Sequence, residues 1–107
     1  MNNFIVYNVA LELVRSLRPI IAELRTHSSN IADQIERAAT SIVLNIGEGN
    51  RRAGKDRRRF FVMAQGSASE VLAALDVADA WGSWMRRRRE SFSIASALCC
   101  GDSCTRA

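Results

Sequence analysis

The chain has 107 residues, 48% of them hydrophobic and 24% charged, with a formal net charge of +4. That length fits one domain with a modest core, and the composition excludes the low-hydrophobicity, high-charge class of disordered chains. Apolar runs are broken by Arg, Glu or Asn before about 18 to 20 residues, and no basic segment precedes an apolar stretch at the N-terminus, so the expectation is a cytoplasmic protein without membrane contact.

From Asn3 to about Arg25, Tyr7, Ala10, Val14, Leu17, Ile21 and Leu24 recur at three- and four-residue steps, widened by Leu13 and Ile20. This is the period of an amphipathic helix. Pro19 removes one backbone hydrogen bond within it, and a kink is expected just before it. His27, Ser28, Ser29 and Asn30 then form a polar turn whose Ser or Asn side chain caps a second helix. Ile31, Ile35, Ala38, Ile42 and Ile46 give that helix its inward stripe, with Ala39 and Val43 on a second edge, until Gly47 and Gly49 weaken it.

A short basic loop leads into a third helix, expected from the neighbourhood of Gly54 to about Ala80. Phe61, Ala64, Ala68, Val71, Leu75 and Ala78 are spaced as a packing seam. The small residues Ala64, Gly66, Ser67, Ala68 and Ser69 predict close approach of a neighbouring helix. Beyond Trp81 the period is lost: Gly82 and Ser83 end the helix, Arg86 to Arg89 form a basic run, and Phe92, Ile94, Ala95 and Leu98 lead into Cys99 and Cys100. Three wide apolar faces need a cover, either a fourth helix from this segment or another copy of the chain. Nothing alternates in the manner of strands, so the fold class is all-α. Residues 1–85 read as helices one to three of a single bundle, and residues 86–107 as a fourth helix or a disordered tail.

The three cysteines, Cys99, Cys100 and Cys104, are odd in number and lack a second ligand pair, and the single His27 is remote in sequence. Neither a disulfide framework nor a metal site is expected. The glycine-rich stretch around Gly49 lacks the spacing and hydroxyl of a phosphate loop. No catalytic residue and no cofactor is assigned, and the chain reads as a non-enzyme.

The string R-A-A-x-S-I-x-x-N-I-x-E-G runs from Arg37 through Ser41, Asn45 and Glu48 to Gly49. After Arg51 and Arg52 comes F-F-x-x-A-x-G-S-A-x-E, from Phe60 and Phe61 through Ser67 to Glu70. The two strings, in this order and at this separation, resemble the bacterial four-helix bundle family encoded within intervening sequences of 23S ribosomal RNA genes, which is similar to the accessory variability proteins of diversity-generating retroelements. The resemblance implies an up-and-down four-helix bundle, assembly as a homopentamer, and no catalytic activity. It also implies RNA or DNA as partners, with a reverse transcriptase for the retroelement relatives. The C-terminal segment departs from the family, whose fourth helix has a Leu-rich stripe; the change after Met85 is what a shift of reading frame produces.

Two sets of residues stand out in these strings. Arg37, Ser41, Asn45 and Glu48 lie one turn apart on the second helix, and with Ser67 and Glu70 they predict a structural polar network, Arg37 pairing with Glu48 or Glu70 and Asn45 serving the backbone of the helix end. Arg51, Arg52, Lys55, Arg57, Arg58 and Arg59 form a patch suited to phosphate, because guanidinium donors bind two oxygens at once. Without interleaved exposed aromatics such binding is phosphate-directed and weakly sequence-specific. The expected function is a homo-oligomeric nucleic-acid-binding accessory protein. The alternative is a structural or adaptor oligomer whose cations serve subunit contacts or a protein partner.

Overall fold

In the computed structural model the backbone is described for residues 3–82 and 88–99, and the side chains for residues 4–82 and 94–99. Four helices follow one another: α1 (Asn3–Arg25), α2 (Ser29–Asn50), α3 (Gly54–Trp81) and α4 (Arg88–Cys99). There is no strand among the described residues. The turns at residues 26–28 and 51–53 reverse the chain in three residues each, so consecutive helices run antiparallel. Each helix packs against two others, α1 and α3 both touching α2 on one side and α4 on the other. The result is a closed four-helix bundle.

The core is the sum of the apolar stripes. Leu13, Leu17, Ile20 and Leu24 of α1, Ile35 and Ile42 of α2, and Val71 and Leu75 of α3 are fully buried. The stripe of α1 is rotated slightly from its sequence reading: the positions that widened it, Leu13 and Ile20, are its centre, while Tyr7, Val14 and Ile21 are half-buried. The buried residues of α2 and α3 include Ala38, Ala64, Ala68, Ala74 and Ala78, whose small side chains allow these long helices to lie close to their neighbours, while Ala39 stands on the α1 side beside Val14 and Leu17.

α1 continues unbroken through Pro19, which lies on its exposed side. Just upstream, Ser16 Oγ donates to the carbonyl oxygen of Leu13 at 2.9 Å. Ser28 is the N-cap of α2 and accepts from the Ile31 amide at 3.3 Å. Beside this turn Arg25 bridges Asp33 at 2.6 Å and Glu36 at 2.7 Å, and these carboxylates, Asp33 first, raise its pKa.

The open question of the last segment resolves into α4, which covers α1 and α3 with buried Ala95 and Cys99 and half-buried Ile94 and Leu98. The Cys99 thiol is a free, buried core group 3.0 Å from Ser69 Oγ. Cys100 and Cys104, and the side chains of the run Arg86 to Arg89, lie outside the described residues. α3 contains an 18-residue window of mean hydropathy 1.2, long and apolar enough to cross a bilayer by length and composition. Its Ala and Val content on both faces, rather than one continuous apolar run, produces that value.

Candidate nucleic-acid interface

The basic residues gather where α2 ends and α3 begins, and the backbone there is dictated by glycines. Gly49 is buried beneath α3: a Cβ at this position would stand 2.6 and 2.8 Å from ring atoms of Phe61. Gly54 starts α3 with φ of 62°, the left-handed conformation that L side chains rarely adopt. These two positions allow a three-residue reversal between helices packed as closely as α2 and α3.

The six cations then divide by what they touch. Arg57 Nε donates to the carbonyl oxygens of Arg52 at 2.9 Å and Gly49 at 3.3 Å, so its charge sits at the C-terminal end of α2, where the helix dipole favours a cation. Arg52 reaches Glu48 at 2.7 Å and Asp56 at 2.8 Å, and Asp56 accepts a further bond from Arg59 at 3.0 Å. The bonds from Arg59 and then Arg52 hold the Asp56 carboxyl below its ordinary range, while Glu48 and then Asp56 raise the Arg52 pKa. Both guanidiniums also lie over the Phe60 ring, Arg52 at 5.1 Å and Arg59 at 4.6 Å from its centroid. Phe60 is therefore occupied by the protein's own cations and offers no stacking platform to a base.

Arg51, Lys55 and Arg58 differ. All three are exposed, and their side chains make no ion pair or hydrogen bond among the described residues. Six cations against Glu48 and Asp56 leave a net four positive charges between residues 48 and 59. Half of the cations build the loop and half point outward from it.

The expected polar network is smaller than its sequence reading. Ser41 Oγ and Ser67 Oγ stand 2.8 Å apart across the α2–α3 interface, and Asn45 Nδ2 donates to Ser41 Oγ at 3.0 Å and to the Ser41 carbonyl oxygen at 2.9 Å. Asn45 thus serves the backbone one turn behind it rather than the end of α2. Arg37 and Glu70 are exposed and stand outside this network, and Glu48 takes Arg52 as its partner instead. Arg37 points away from the α2–α3 seam because its neighbours Ala38 and Ala39 fill the buried positions. Among the described residues no three His, Cys, Asp or Glu side chains cluster as metal ligands would.

Two roles escaped the sequence reading. The tether formed by Arg57 had no distinguishing signal, since five like-charged neighbours surround it. The Glu48, Arg52, Asp56 ladder had one, the i, i+4 spacing of opposite charges.

A family model described as 23S rRNA-intervening sequence protein matches residues 2–96. The chain belongs to this family. The match spans both strings recognised above and continues past Met85 into α4, ending at residue 96. No curated protein and no solved structure matches the chain.

Proposed function

We propose that this member of the 23S rRNA-intervening sequence protein family is a non-enzymatic, self-associating helical bundle of the cytoplasm that binds the phosphate backbone of RNA or DNA through the end where α2 meets α3. The observation that carries this reading is the outward set Arg51, Lys55 and Arg58, held beside cations that are already neutralised. Phosphate contacts by such groups release counterions and carry no base preference. Repetition of the patch in a homo-oligomer, five copies by the resemblance, multiplies the field each copy contributes. A reverse transcriptase belongs to this reading as a further partner.

The test is a titration with single- and double-stranded RNA and DNA at about 50 and 200 mM salt. Binding is expected to weaken steeply with salt. Replacement of Arg51, Lys55 and Arg58 together by Ala is expected to reduce the slope of log K against log salt by about three. Arg57 is left in place because its loss would disturb the loop and not only the charge. No binding at the lower salt overturns the reading. The adaptor alternative is favoured by one observation, the internal use of Arg52, Arg57 and Arg59, and it predicts the same oligomer without affinity for nucleic acid.

A further inference from the structure

The cations that the turn neutralises keep part of their surface free. Arg59 Nη2 donates to Asp56 Oδ1 at 3.0 Å, and its guanidinium carbon lies 4.6 Å from the centroid of the Phe60 ring. Arg52 lies over the same ring at 5.1 Å and is held by two carboxylates, Glu48 at 2.7 Å and Asp56 at 2.8 Å. The two differ in what remains open, since the Arg59 side chain is 59% exposed and the Arg52 side chain 41%. Arg59 therefore has one side on a ring, a donor on a carboxylate, and the rest of its surface in water.

This combination suits a flat, neutral ligand better than a phosphate. Asp56, held below its ordinary range, is ionised at neutral pH, so it cancels much of the charge that a phosphate would seek and repels phosphate oxygens. It leaves the broad side of the guanidinium untouched, and that side is weakly hydrated and stacks on π-systems. The ion pair and the ring contact have already fixed a long side chain, so little further ordering accompanies the arrival of a base. Lys55, one of the outward cations, stands one turn before Arg59 on the same side of α3. A phosphate held by Lys55 brings its own nucleoside beside Arg59.

We infer that Arg59, backed by Phe60, is a stacking platform for an unpaired nucleobase, which makes single-stranded RNA or DNA the ligand of this interface. The inference rests on the phosphate-binding reading and adds the state of the strand to it. Bases inside a duplex are covered on both faces by neighbouring pairs, whereas unpaired bases splay out and stack on guanidinium planes. Every base has a π-face, so such stacking remains tolerant of sequence.

The experiment compares two single strands of about 12 nucleotides, one carrying bases and one abasic throughout, by fluorescence anisotropy at about 50 mM salt. The intact chain is expected to bind the base-bearing strand about tenfold more tightly than the abasic one. Arg59→Lys keeps the positive charge but has no plane to stack, and it is expected to bring the two strands to equal affinity. Phe60→Leu removes the ring behind the guanidinium and is expected to lower the ratio in the same direction. Circular dichroism checks the helicity of both variants; should Phe60→Leu lose it, Arg59→Lys decides, because its side chain is exposed. Equal affinity of the intact chain for the two strands, or a ratio that Arg59→Lys leaves unchanged, overturns this inference while the salt-dependent phosphate binding stands. Binding to neither strand overturns both.

Discussion

The two glycines that face opposite ways on the α2–α3 pair show how one residue type serves different ends. Gly49 lies under Phe61, and the 2.6 Å approach of the ring to its missing Cβ leaves no room for a methyl group. Gly49→Ala is expected to destabilise the chain by about 1 to 3 kcal/mol, the usual cost of overpacking. Gly66 has open space in place of a neighbour, and Gly66→Ala is expected to stabilise the single chain by about 0.5 to 1 kcal/mol through helix propensity. Urea unfolding of the two variants beside the intact chain, at one protein concentration, measures both; equal effects of the two substitutions would contradict the packing described. From sequence Gly49 read only as the weak end of α2 and Gly66 as the place of close approach, and the packing corrects this: the ring of Phe61 lies on Gly49, while Gly66 has no described neighbour within 4 Å. Ser41, Asn45 and Ser67 were legible as a network because their spacing places them on one seam. Arg37 and Glu70 shared that spacing by register alone, and only packing could show that their side chains point out.

At the level of elements, the turn between α2 and α3 is held by charges that are themselves exposed. Asp56 is the centre, accepting from Arg52 and Arg59, and its carboxyl titrates below the ordinary range for that reason. A depressed carboxyl pKa stabilises the folded chain at every pH above the ordinary carboxylate range, and this contribution is lost as pH falls through the depressed value. Asp56→Asn is therefore expected to lower stability near neutrality and to reduce the additional loss between about pH 4 and the acid limit, with the difference narrowing in high salt because the groups are exposed. Urea midpoints of both proteins measured across that range check the sign: a difference that grows as pH falls would be inconsistent with these contacts. The cluster of cations was plain in the sequence. Their division was not, because which guanidinium turns inward depends on the carbonyl groups of Gly49 and Arg52 that the turn exposes.

For the molecule as a whole, three helices were legible nearly to the residue, since strong apolar periods and a capping Ser28 marked their limits. α4 was not, because Ala95, Ser96, Ala97 and Cys99 carry too little apolar contrast to define a face; it is burial against α1 and α3 that defines it. Its contribution can be measured. A chain ending at Trp81 is expected to lose the cover that Ile94, Ala95, Leu98 and Cys99 give to α1 and α3, to bind a hydrophobic dye, and to unfold at lower urea than the intact protein. Unchanged cooperativity without α4 would show that three helices suffice.

The three-residue turns also set a timetable. Contacts of α1 with α2, and of α2 with α3, join segments adjacent in sequence, so little chain entropy is lost before they form, and helical proteins of this kind fold in microseconds to milliseconds. Closure of α1 against α4 joins the most distant parts of the described chain and costs the most entropy. On a ribosome the first two hairpins can therefore assemble as they emerge, and the face of α1 and α3 that α4 covers stays open to water until the last helix is made.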